Sequence, residues 1–167
     1  MDANMSHHGD WVVLAAERSR AVGIDVMTTF LEARGSRRED PNEFLSTLRS
    51  TLTAEEWALL QGCETDEERL LEFFHFWAVK ESYIKATGHG LGFEVQRINV
   101  SYPQGRTAAR TPVLQIDGAR LDGWEFATYM LDERHVIAVA TPKTDQASTV
   151  ALPLDIIGSI EQLVPGE

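Results

Sequence analysis

FFHFWAVKESYIKATGHGLGF, residues 73–93, is an apolar helix pattern that ends in a glycine-studded loop. Leu70, Phe74, Trp77, Glu81 and Ile84 follow the three-then-four spacing that lines one helical face. Glu81 therefore occupies a position where the pattern asks for an apolar side chain. A buried carboxylate is costly unless it is paired or bound to a metal. A sequence that breaks its own local rule tends to do so at a functional site.

Working outward, Thr65 with Glu68 has the form of a capping box and starts this helix, and Thr53 with Glu56 caps a shorter one carrying Trp57, Leu59 and Leu60. Asp40 and Pro41 open another over 41–50. Thr29 to Asn42 reads as a mobile connection. On the N-terminal side, Trp11–Glu17 and Ala21–Met27 are of strand length, and Arg18-Ser19-Arg20 between them predicts a hairpin. On the C-terminal side the period turns twofold. Phe93–Tyr102 alternates with a slip near Arg97 and Ile98 that suggests a bulge. Val113–Ile116, Trp124–Met130 and Val136–Ala140, separated by turn signals such as Asp117-Gly118, complete an antiparallel meander. The expected fold is α+β, a small antiparallel β-sheet packed on a long central helix. The expected domain covers 1–142, with 143–167 a loosely held tail.

Composition narrows the function classes. The 167 residues suit one domain, and a net charge of −11 argues against general nucleic-acid or anionic-membrane binding. The one cysteine, Cys63, rules out an internal disulfide and sits among acidic residues that disfavour a thiolate. No run of about 20 apolar residues is present for a membrane span. The N-terminus lacks the basic and apolar segments of a signal peptide, so the expected location is cytoplasmic.

Four groups of residues could carry chemistry. Glu81 and Lys85, four apart, read either as a helix-surface ion pair or as groups aimed into an enclosed site, where they could ligate Mg²⁺ and hold phosphate oxygens. Asp25, inside or at the end of an apolar strand, supplies a second carboxylate or faces solvent at the strand end. Gly88-His89-Gly90-Leu91-Gly92 reads as a helix C-cap, with more glycine than a cap requires. It is neither a P-loop nor a dinucleotide fingerprint. Ser6-His7-His8 makes a poor metal site, since adjacent histidines do not easily face one ion; His7 could instead donate to a phosphate.

Gly23-Ile24-Asp25, the long stretch Trp77-Ala-Val-Lys80-Glu81-Ser-Tyr-Ile-Lys85-Ala-Thr-Gly88-His-Gly90 and the upstream Asn4-Met5-Ser6-His7 together resemble the 4′-phosphopantetheinyl transferase superfamily, of the surfactin-synthetase-activating type. GIDVM, FWAVKESYIKATGHGLGFEVQR and HVIAVA are most similar to its animal branch, and the resemblance spans most of residues 4 to 140. It implies transfer of 4′-phosphopantetheine from coenzyme A to a serine of an apo carrier protein, of the acyl-carrier or aminoadipate-semialdehyde-dehydrogenase type, with release of adenosine 3′,5′-bisphosphate. It also implies Mg²⁺ on Asp25 and Glu81, Glu81 as acceptor of the serine proton and Lys85 on phosphate oxygens, with Lys80 pointing to another helical face. Coenzyme A would be bound by Asn4, Met5, Ser6, His7 and Asp25 and by Glu81, Ser82, Tyr83, Ile84 and Lys85.

Two departures follow from the same resemblance. Met27 stands where many relatives have a third acidic ligand, so water would complete the metal shell. The family is built of two similar lobes with coenzyme A between them, and this chain corresponds to the second, an N-terminally truncated form. That leaves a non-catalytic half that binds carrier or self-associates as the alternative; a complete protein would be a monomer.

Overall fold

The computed structural model describes residues 1–31, 40–103 and 111–144. The connection expected over 29–42 and the tail expected over 143–167 fall largely outside them.

The N-terminal residues, which have no apolar alternation, begin with a strand. β1 (Asp2–His8) pairs antiparallel with β2 (Trp11–Glu17). The two-residue link starts with Gly9 at φ +56°, the first-position glycine of a primed hairpin turn. The hairpin expected between Trp11–Glu17 and Ala21–Met27 is therefore not made. β2 takes β1 as its partner, and β3 (Gly23–Thr28) pairs instead with β8 (His135–Pro142), over a hundred residues away in sequence.

β8 is the middle strand of a sheet ordered β3-β8-β7, where β7 is Trp124–Met130. A second sheet joins β4 (Ile98–Ser101), β5 (Val113–Ile116) and β6 (Ala119–Arg120). Its β5–β6 turn has both Asp117 (φ +51°) and Gly118 (φ +80°) left-handed, the geometry that Asp-Gly favours. The meander thus divides between two sheets. The phase slip before β4 is a 3-10 turn, Val95–Arg97, not a bulge.

The helices match their caps. Asp40 Oδ1 accepts from the Asn42 and Glu43 amides at the start of α1 (Pro41–Thr47). Thr53 and Glu56 close a full capping box on α2 (Ala54–Gln61). α3 (Asp66–Thr87) runs 22 residues from the Thr65 cap to Gly88, left-handed at φ +70°. At the N-terminus of α3 the Glu68 carboxylate reaches the Glu64 amide rather than that of Thr65.

α3 lies across the β3-β8-β7 sheet. Phe73, Phe74, Phe76, Val79, Tyr83 and Ile84 pack with Phe126, Val136, Ala138 and Ala140 in one core. The other face of the same sheet presents Val22, Ile24, Val26, Ile137 and Val139 to Trp11, Val13 and Ala15 of the hairpin. β3 and β8 are thus covered on both faces, which is why they read as continuous apolar runs.

Among the described residues, one ion pair is fully enclosed. Lys80 Nζ donates to Glu56 Oε2 at 2.7 Å and to the Thr51 carbonyl at 2.9 Å. Glu56 also accepts from the Thr53 and Val100 amides, at 2.9 and 2.8 Å. Every oxygen of the carboxylate is used, so its burial is compensated. Burial pushes the Lys80 ammonium down and the Glu56 charge opposes it. The capping glutamate therefore does double work, tying α2, α3 and β4 together. Cys63 is buried, and its thiol donates to the Leu59 carbonyl at 3.6 Å.

Candidate functional site

Asp25 sits between Ile24 and Val26, which face the hairpin, so its own side chain projects from β3 toward α3. The strand can come close because of Gly23. A Cβ there would lie 1.9 Å from the Ser82 carbonyl oxygen and 2.6 Å from the Ala86 nitrogen. Only glycine permits that contact, and it brings the next inward residue of β3, Asp25, against the turn of α3 that carries Glu81 and Lys85.

Asp25 is 5% exposed. Its Oδ1 accepts from Lys85 Nζ at 2.7 Å and from the Ser6 hydroxyl at 2.8 Å. Lys85 Nζ also donates to the Ile24 carbonyl at 3.2 Å. Lys85 thus reaches across to β3, and the i,i+4 surface pair with Glu81 is not formed. Asp25 Oδ2 is buried and has no hydrogen-bond partner among the described residues.

Both carboxyls are shifted the same way. Burial pushes Asp25 up, against the lowering effects of Lys85, Ser6 and the His8 charge. Burial and the neighbouring Asp25 charge push Glu81 up, with Lys85 opposing. Asp25, Glu81 and Lys85 therefore share one electrostatic neighbourhood. Two carboxylates, one with an unpartnered buried oxygen, could serve a hard cation such as Mg²⁺, which takes one or two carboxylates and fills the rest of its shell with water and phosphate oxygens.

The N-terminal motif has a structural logic that its sequence did not reveal. Asp2 Oδ2, Asn4 Oδ1 and Ser6 Oγ accept from the amides of Val22, Ile24 and Val26, at 2.9, 3.0 and 3.3 Å. Alternate side chains of β1 satisfy the free edge of β3, the strand that carries Asp25. Asn4 and Ser6 thereby join the site as its support. Met5 and His7 lie on the opposite face of β1: Met5 is 60% exposed and His7 is exposed, across from Leu14 and Val12. His8, on the Ser6 face, is the histidine whose charge reaches Asp25.

Of the helix residues expected to bind ligand, Glu81 and Lys85 come to Asp25. The side chains of Ser82, Tyr83 and Ile84 do not; all three are buried. The Ser82 hydroxyl donates to the Val79 carbonyl, and Tyr83 packs edge-on against Trp124 at 4.9 Å. Positions 81 and 85, four apart, stand one above the other on the helix. Gly88 and Gly90 have positive φ, +70° and +58°, with open space around each, so backbone conformation explains both. No helix among the described residues is long and apolar enough to cross a membrane.

A strand-borne aspartate held by a helix-borne lysine, beside a partly buried glutamate one turn away, lies within the stretch that the family comparison covers. The model of the 4′-phosphopantetheinyl transferase superfamily matches residues 21–140, and the chain belongs to that superfamily. Among individual relatives, the chain is 38% identical over 147 residues to the human L-aminoadipate-semialdehyde dehydrogenase-phosphopantetheinyl transferase, covering 85% of this chain and 46% of that protein. It is 37% identical over 141 residues to a phosphopantetheinyl transferase of Thraustochytrium sp., covering 82% of this chain and 47% of the relative. A 4′-phosphopantetheinyl transferase of Bacillus pumilus is 29% identical over 150 residues. The chain spans about half the length of the curated relatives it matches.

Proposed function

We propose that this chain serves the transfer of 4′-phosphopantetheine from coenzyme A to the serine hydroxyl of an apo carrier protein. The observation that carries the reading is Asp25: a buried carboxylate with one oxygen committed to Lys85 and Ser6, the other without a partner, and Glu81 close enough for their charges to interact. Family membership gives the reaction class.

In this reading Asp25 and Glu81 hold Mg²⁺, which supplies charge compensation for the pyrophosphate of the bound ligand. Lys85 keeps Asp25 ionised and oriented, and its ammonium, part-exposed, also faces a phosphate oxygen. Glu81 takes the serine proton: a carboxyl pushed up by burial and by a like charge is a stronger base than an ordinary one. The serine oxygen forms the new bond to phosphorus. The phosphorus–oxygen bond to the adenosine side breaks, and adenosine 3′,5′-bisphosphate leaves with the electron pair. Asn4 and Ser6 fix the strand beneath these groups. His7, exposed on the outer face of the hairpin, is free to meet a phosphate from outside. The name of the human relative points to an aminoadipate-semialdehyde-dehydrogenase-type carrier.

The test incubates the chain with Mg²⁺, apo carrier and coenzyme A labelled in the pantetheine arm. Wild type is expected to add the label to the carrier, and Glu81→Gln to lose most of the rate while keeping its fold. Label transfer by Glu81→Gln at the wild-type rate would remove Glu81 from its role; carrier that stays unlabelled with wild type would remove the reading itself.

A further inference from the structure

His8 has no part in the reaction just described, yet it is the histidine that faces inward. β1 lies beside β3 at a constant offset, Asp2 to Val22, Asn4 to Ile24 and Ser6 to Val26. The next residue on that face is His8, which comes level with Thr28, and Thr28 pairs across the sheet with His135. The two imidazole rings are 6.4 Å apart, centre to centre, and tilted by 60°.

His135 is held in a fixed orientation. Its Nδ1 lies 2.9 and 3.0 Å from the two oxygens of Asp132. A carboxylate only accepts, so Nδ1 carries the proton and Nε2 faces away, toward Gly9. Asp132 is itself anchored, accepting from the Arg134 amide at 2.7 Å and from the Trp11 indole at 3.0 Å. This is the arrangement in which a second carboxylate aims an imidazole at a ligand.

We propose that His8 and His135 together hold an oxyanion of the phosphate class, with Asp132 as the residue that positions His135. An oxygen roughly 2.8 Å from a nitrogen of each ring fits between rings separated by 6.4 Å. Gly9, without a side chain, leaves Nε2 of His135 uncovered on that side: an added Cβ would stand 3.5 Å from it, in van der Waals contact. Arg134, exposed and stacked on Phe30 at 4.9 Å, flanks this end of the sheet with a further positive charge. The influence of the His8 charge on Asp25 makes the pair continuous with the Asp25–Glu81–Lys85 cluster. Only the identity of the physiological ligand rests on the transfer reading; the anion site stands or falls separately.

The test uses the full chain in EDTA. Inorganic phosphate is titrated in while the ¹⁵N-labelled histidine resonances are followed. Those of His8 and His135 are expected to move together. His8→Gln and His135→Gln are each expected to weaken binding about tenfold, the loss of one charge-assisted hydrogen bond. The double variant should be little worse than either alone, because the rings share one anion. His8→Gln lies outside the Asp132 contacts and keeps the measurement open if His135→Gln disturbs the fold. A parallel titration with coenzyme A separates the sources. Weakening by the same factor assigns the site to a phosphate of that ligand, and unchanged affinity assigns it to free phosphate. Because no divalent ion is present, a chain that fails in transfer can still pass this test. Resonances that stay still, or variants that bind phosphate as wild type does, would overturn the proposal.

Discussion

Gly23→Ala should damage the fold and the site in one step. The added Cβ would lie 1.9 Å from the Ser82 carbonyl oxygen, whereas contacts under 3.0 Å essentially never occur. The obstacle is main chain, so no side chain can rotate out of the way. β3 and α3 must separate by about 1 Å, against a close-packed core that resists such shifts. Overpacking costs about 1–3 kcal/mol in general, and a clash of backbone on both sides belongs at the upper end. About 3 kcal/mol corresponds to a fall in Tm of roughly 6–12 °C for a domain of this size. The same displacement would stretch the Lys85–Asp25 contact, now 2.7 Å, out of hydrogen-bonding range. Differential scanning calorimetry gives the Tm. Gly88→Ala is the control, since its left-handed φ of +70° in open space costs only about 1–2 kcal/mol. A Gly23→Ala protein that melts with wild type, or higher than Gly88→Ala, would refute the packing argument.

Further outcomes follow from the same contacts. Lys80→Met leaves Glu56 charged and enclosed without its cation, and should cost about 3–5 kcal/mol in urea unfolding; adding Glu56→Gln should restore part of the loss, and a fully additive double variant would contradict the pairing. Glu81→Gln should raise the Tm of the metal-free protein at neutral pH. The Glu81 carboxyl is pushed above its ordinary value of 4.5, so the fold binds its proton more tightly than the unfolded chain does. Its contribution to stability is therefore present below pH 4.5 and lost as pH rises through the folded value. A neutral glutamine escapes that loss, and the gain should vanish in acid; a gain that persists there would point elsewhere. Asn4→Ala removes the acceptor of the Ile24 amide, at about 1–3 kcal/mol, and hydrogen exchange at Ile24 should quicken while Val139 stays protected.

Much of this arrangement can be read from residues. Capping chemistry marks the helix starts because it is local, and β5 and β7 lie where alternation and turn residues put them. β1 escapes notice because its polar side chains serve a strand edge, not a core. Asp2, Asn4 and Ser6, acceptors at every second position, are the only sign of it, and such spacing gains meaning only once β3 is known to be beside it. The pairing of β3 with β8 is a long-range choice that no local signal contains. Glu81 on the apolar seam points to the candidate site, yet among the described residues the most enclosed carboxylate is Glu56, hidden by its simpler role as a cap. Glycine at 23 carries no information about what it touches. The choice between His7 and His8 likewise depends on which face of β1 turns inward, and that is fixed by hydrogen bonds to β3.

The central claim is that Asp25 and Glu81, over 50 residues apart, act as one cation site. Electron paramagnetic resonance of Mn²⁺ titrated into the wild-type chain and into Asp25→Asn and Glu81→Gln, with coenzyme A present, tests it directly. One bound Mn²⁺ is expected in wild type, and its loss in either single variant. Mn²⁺ bound undiminished by one of the variants would contradict the claim.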